Sequence, residues 1–105
     1  MVTIDSANTR YDAISTTVAT GQTNRDMKAN NATLFANVDR ARFMRITTDQ
    51  TITIRLNSTD MPWIVMTATE SPRKFTRIEE SMEITNIYVT NASWSTANIK
   101  IELYL

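Results

Sequence analysis

ITNIYVTNASWSTANIKIELYL, residues Ile84 to Leu105, decides the fold of this chain. Ile99, Ile101, Leu103 and Leu105 take every second position of its closing segment, with Lys100, Glu102 and Tyr104 between them. Strict alternation over this length marks a strand with one buried face and one wet face. Ile87 and Val89 repeat the spacing upstream, separated and flanked by Asn86, Tyr88 and Thr90. The stretch reads as two strands joined by a polar turn over residues 91–96, and the chain finishes inside a sheet.

Working outward, RFMRITT predicts a strand with Met44 and Ile46 on one face, followed by a turn at Asp49-Gln50. TITIRL puts Ile52, Ile54 and Leu56 inward, and the loop NSTDMP closes at Pro62, which cannot donate to a ladder. WIVMT places Ile64 and Met66 on one face and Trp63 and Val65 on the other. ESPRK turns the chain at Pro72, and FTRI and SMEI then carry Phe75, Ile78, Met82 and Ile84 as strand-like segments. Inward parity changes between Ile84 and Ile87, which predicts a bulge or a new strand start near Thr85.

Upstream the signal weakens. Residues 23–41 predict a strand around Met27–Ala29 and a turn or short helix near Thr33–Asn37. Residues 1–22 are polar and read as an N-terminal arm or a first strand, ahead of a sandwich domain over 23–105. With Gly21 the only glycine, turns must rely on Asn or Asp, or lengthen into loops. About seven or eight short strands with regular turns give an all-β, antiparallel β-sandwich, either immunoglobulin-like or jelly-roll.

A chain of 105 residues is one domain with one modest core. Cysteine and histidine are both absent, which removes disulfides, thiolate chemistry, the usual general base and the usual metal ligands. No cofactor or metal is expected. Eleven basic residues balance eleven acidic ones, so neither nucleic acid nor an anionic membrane is an expected partner. Zero net charge also removes the self-repulsion that keeps small proteins apart. MVTIDSANTR lacks the basic and apolar regions of a signal peptide, and no run approaches the roughly 20 apolar residues of a membrane span, so synthesis in a cytoplasm is expected.

Glu79, Glu80 and Glu83, with Asp60 and Glu70, are the acidic grouping that acid–base chemistry would use. Adjacent glutamates on a strand point to opposite faces, so solvated loop charge is the better reading, and no catalytic residue is assigned. Arg40, Arg42, Arg45 and Arg55, joined by Arg73, Lys74 and Arg77, offer a basic face suited to bidentate pairing with carboxylates of a neighbouring subunit, against a bland reading as ordinary surface charge. Trp94 lies in the polar loop Asn91-Ala92-Ser93-Trp94-Ser95-Thr96. A large aromatic there either folds back onto its own core or buries itself in a neighbour, and the two readings stand level. Trp63 and Tyr88 join it as candidate interface residues, or as a dispersed sugar-binding platform. Three Asn-x-Ser/Thr tripeptides, at Asn31, Asn57 and Asn91, arise by chance in so Asn- and Thr-rich a chain.

ITTDQTITIRLNST (46–59), TESPRKFTRIEES (69–81) and MEITNIYVTNASWSTANIKIELYL (82–105) together resemble small β-sandwich structural proteins of tailed-bacteriophage virions. KANNATLFANVDRARF (28–43) is compatible with the same class, and ITNIYVTN and STANIKI are its most specific parts. Where such proteins hold a glycine in the terminal hairpin turn, this chain has Trp94, a departure that points to a specialised contact. The resemblance implies a non-enzymatic capsid decoration (cement) protein, homo-oligomeric with a trimer expected. Its partners would be the major capsid protein or other virion proteins, and its location the virion. A tail or fibre module contacting host glycans is the alternative. On the decoration reading, deleting residues 2–20 as an arm is expected to leave a folded domain with reduced capsid binding.

Overall fold

This computed structural model, which describes residues 11–80 and 82–105, has eight antiparallel strands among those residues. They are β1 (Tyr11–Val18), β2 (Arg25–Asp26), β3 (Phe43–Thr48), β4 (Ile52–Leu56), β5 (Ile64–Met66), β6 (Arg73–Thr76), β7 (Ile87–Thr90) and β8 (Ala97–Tyr104). One sheet has the order β1-β8-β3-β6 and the other β2-β7-β4-β5. Strand 1 pairs with 8, 2 with 7, 3 with 6 and 4 with 5. The chain is thus one long antiparallel ribbon, doubled at the β4–β5 end and rolled so that β3 meets β8 and β4 meets β7. That nesting is the jelly-roll form of the sandwich, not the immunoglobulin-like one.

The core lies between the sheets. Met44 and Ile46 from β3, Ile52 and Ile54 from β4, and Ile101 and Leu103 from β8 are buried as their alternation predicts. Each such side chain contributes about 1.5–3 kcal/mol by leaving water. Leu105 departs from the pattern: β8 ends at Tyr104, and Leu105 is 41% exposed. Ile84 forms an isolated bridge with Ala41 and β7 begins afresh at Ile87, which is the new start that the change of parity required.

Two predicted extended segments are single helical turns. The strand expected around Met27–Ala29 is α1 (Met27–Asn30). Asp26 caps it, its Oδ1 accepting from Ala29 N at 3.0 Å, while the Asn30 and Asn31 amides donate back to the carbonyls of Asp26 and Met27. These local bonds outcompete the ladder. Met27 is still buried. The stretch expected to run extended through Glu79 and Glu80 is α2 (Arg77–Glu80), so the argument from opposite strand faces does not apply to that pair.

β1 settles the arm-or-strand question for its own residues: Tyr11–Val18 is a strand paired with β8 along its whole length, and residues 1–10 lie outside the described part. On the inner side of β1, buried Asp12 accepts from Asn37 N at 2.9 Å, Asn37 Nδ2 at 2.9 Å and Val38 N at 2.7 Å. It fastens β1 to the loop before β3, just beyond Phe35, whose φ of 62° lies in the left-handed region that bulky residues avoid. Removing residues 2–20 would therefore strip an integral strand, contrary to the expectation for a free arm. Asp12→Ala leaves the buried Val38 N–H and the part-buried Asn37 N–H without this acceptor and is expected to lower unfolding free energy by about 2–3 kcal/mol, read by urea denaturation. A loss below a few tenths of that figure would show that Asp12 does not fasten the loop.

Candidate functional site

The loop between β7 and β8 is organised by Asn91, which is wholly buried. Its Nδ2 donates to Val18 O at 2.8 Å and Ser95 O at 2.9 Å, and its Oδ1 accepts from Ser93 N at 3.0 Å. Its backbone N–H reaches Gln22 O at 2.9 Å, and its carbonyl receives Gly21 N at 2.8 Å. Gly21, at φ 84°, turns the chain after β1 so that this contact can form, and Thr20 Oγ1 donates to Ser93 O. On this bonded base Trp94 stands 100% exposed. It does not fold back onto its own core.

Trp63, Arg55 and Tyr88 come together on the outer face of the β2-β7-β4-β5 sheet. Arg55 lies opposite Tyr88 in the β4–β7 register, and its guanidinium sits 4.8 Å from the Trp63 ring centroid. Arg55 Nη1 also donates to the Thr59 and Met61 carbonyls, while Arg55 Nε is shut from solvent without a hydrogen-bond partner among the described residues. Trp63 is 59% exposed and Val65 54% exposed, so this face presents a continuous apolar step beside a held cation. Tyr88 OH accepts from Asn86 Nδ2 at 3.2 Å, and that amide also donates to Asp26.

The predicted basic set comes together only in part: Arg45 lies opposite Lys74 and Ile46 opposite Arg73 in the β3–β6 register, and Arg77 N donates to Arg42 O, whereas Arg55 lies apart from them. Arg42 and Arg45 belong to the β3 side and Arg55 to the opposite sheet. Their carboxylate partners are within the chain: Arg45 grips Glu102 bidentately at 3.0 and 2.8 Å, and Arg42 and Arg40 both lean on Glu83. Glu102, expected on a wet face, is only 5% exposed, covered by Arg45 and by Tyr104, whose OH donates to it at 3.0 Å. Tyr104 stacks in turn against Tyr11 and Phe43, closing a lid over the pair.

These contacts shift protonation. The Arg45 hydrogen bonds hold the Glu102 carboxyl below its ordinary range, against an opposing push from burial, and Glu102 raises Arg45. Burial, then the Glu102 hydrogen bond, raises Tyr104. Asp49 is lowered by the side-chain and backbone N–H groups of Asn98, at 2.6 and 2.8 Å.

A groove of about 470 Å³ beside β8 is lined by Ser15, Thr17, Thr47, Asn98, Ile99 and Lys100, which turn mainly carbon surface toward it. Among the described residues no group of three or more acidic side chains is placed to hold a metal ion, and no helix is long and apolar enough to cross a membrane. Sequence reasoning found Trp94 but missed Asn91, which positions it. The Asn-x-Ser spacing that was set aside as a chance tripeptide is the signal, because it folds as a side-chain-bonded turn.

The chain matches no protein-family model, and no curated protein matches it significantly.

Because Glu102 and Asp49 have depressed folded values, each contributes stability that is complete above its unfolded pKa and lost as pH falls through the folded one. Thermal melts are expected to hold a plateau above about pH 5 and to decline below about pH 4. Glu102→Gln should melt lower at neutral pH, with the gap to the parent closing at low pH; a gap independent of pH would remove the Arg45 pairing as its cause.

Proposed function

We propose that this chain is a non-enzymatic structural protein of a tailed-phage particle, a decoration protein that docks on the head shell and reinforces it. The observation that carries the reading is Trp94, held fully exposed by a loop whose base is hydrogen-bonded on several sides. An aromatic presented in a fixed position loses little conformational freedom on docking, and tryptophan is among the residues that dominate binding energy. The rolled sandwich is compatible, since jelly rolls build capsid and lectin domains, though a fold never specifies a function by itself. Reinforcement would come from several modest contacts engaged at once by an oligomer spanning neighbouring shell subunits. The resemblance in residues 46–105 points the same way.

A second reading draws on the outer face where Trp63 stands beside Arg55 and Tyr88. An exposed ring next to a fixed hydrogen-bond donor suits stacking against a sugar, which would make the chain a tail or fibre module contacting host glycans.

Co-sedimentation with particles separates the two. Trp94→Ala is expected to weaken particle binding at least about 30-fold, the scale of a hot-spot residue, with unchanged circular dichroism and melting. Undiminished particle binding by this variant removes the decoration reading. Saturable quenching of tryptophan fluorescence by cell-wall sugars, lost in Trp63→Ala, would establish the glycan module instead.

A further inference from the structure

Among the described residues, four strands lie at sheet edges: β1 and β6 in one sheet, β2 and β5 in the other. Three of them are short and guarded. β2 has two residues and runs straight into α1, β5 has three and follows Pro62-Trp63, and β6 has four, follows Pro72 and carries exposed Lys74. Short length, proline and lysine are how sheet edges are kept from pairing with other chains. β1 differs in every respect: it has eight residues, YDAISTTV, with no proline, no lysine and no bulge in its pairing with β8.

The direction of its free groups follows from the ladder. Arg42 N and Asp49 N donate to the carbonyls of Tyr104 and Asn98, so the even-numbered residues of β8 turn their backbone groups toward β3. Hydrogen-bonding direction alternates along an antiparallel strand, so Ile99, Ile101 and Leu103 turn theirs toward β1, where they meet Thr16, Ile14 and Asp12. The N–H and C=O groups of Tyr11, Ala13, Ser15 and Thr17 therefore point off the sheet. No partner for them occurs among the described residues.

We propose that β1 is a self-pairing edge: two copies of this chain join antiparallel through Tyr11–Val18 about a twofold axis at Ile14, making one eight-stranded sheet. The register is set by counting rungs. Centring on Ile14 matches Tyr11 with Thr17 and Ala13 with Ser15 of the second copy, so all four outward-pointing residues are used. Centring on Ala13 or Ser15 leaves one idle. Each rung exchanges two hydrogen bonds, and the central Ile14–Ile14 pair falls at a non-hydrogen-bonded position, where Cα atoms approach to about 4.5 Å. Ile14 is half-buried and packed against the core, so the second copy completes its burial. The outer side chains, Tyr11, Ala13, Ser15 and Thr17, carry no charge to oppose the contact. The assembly is twofold, unlike the trimer implied by the resemblance, and it stands independently of the particle-docking role of Trp94.

The test uses the full chain in solution, away from any particle. Sedimentation equilibrium is expected to show a concentration-dependent species of twice the 11.9 kDa chain mass. Ser15→Pro removes an N–H that points off the sheet and no bond to β8, so it should weaken dimerisation at least tenfold while the fold is kept; Ala13→Lys is the second probe should the proline variant melt. The chain has no cysteine, so Ile14→Cys is expected to close a symmetric intermolecular disulfide under mild oxidation, and Ala29→Cys, exposed on α1, is not. A monomer at every concentration, a dimer indifferent to both edge variants, or a dimer that Ile14→Cys fails to cross-link would each overturn the pairing.

Discussion

Burial of Ile99, Ile101 and Leu103 on one side of β8 is the constraint on which the remaining structure depends. β8 is hydrogen-bonded to β1 on one flank and β3 on the other, so its register fixes both neighbours. A slip of one residue would turn that apolar row to water and drive Lys100 inward, a change the sheet could not tolerate. Because the chain is a rolled ribbon, fixing β8 also fixes where β3 must lie to meet β6, and so where the opposite sheet begins.

What alternation cannot supply, carboxylates and amides do. Asp12 draws the loop around Asn37 and Val38 against β1, and that anchorage holds Phe35 in a backbone conformation costing on the order of 1–2 kcal/mol. Asn57, at φ 70°, plays the matching part on the other side, donating to Glu83 O and accepting from Thr85 N. Asn91 does the same beneath Trp94. In a chain with a single glycine, asparagine thus takes left-handed positions at Asn24 and Asn57, and the Asn57 and Asn91 side chains supply bonds that hold their loops.

The legible parts of the sequence were those where period-two patterning acts alone. β3, β4, β5, β7 and β8 follow directly from it, and so do most of their inward residues; Leu105, exposed, and Glu102, buried, break the pattern. The stretch around Met27 was read as a strand and is a helical turn, because one buried methionine suits either element and Asp26 decides between them by capping. The Asp12 anchorage was invisible because its partners lie 25 and 26 residues away. The arginines misled for a related reason: alternation says that Arg45 and Arg55 face outward, but not that their strands lie in different sheets. Trp94 could be recognised as an exposed tip from its polar neighbours, whereas the rigidity beneath it depends on contacts with the turn at Gly21, remote in sequence.

The register of β1 with β8 gives the molecule two unlike poles. Tyr11 lies beside Tyr104 at one end of that ladder, and Val18 beside Ala97 at the other, about 25 Å away and next to the tryptophan-bearing loop. In the antiparallel pair proposed above, Tyr11 of each copy lies opposite Thr17 of the other, so the tyrosine end of one copy meets the tryptophan end of its neighbour. A pair so joined carries a tryptophan-bearing loop at each end of one continuous sheet, reaching in opposite directions along the strand axis.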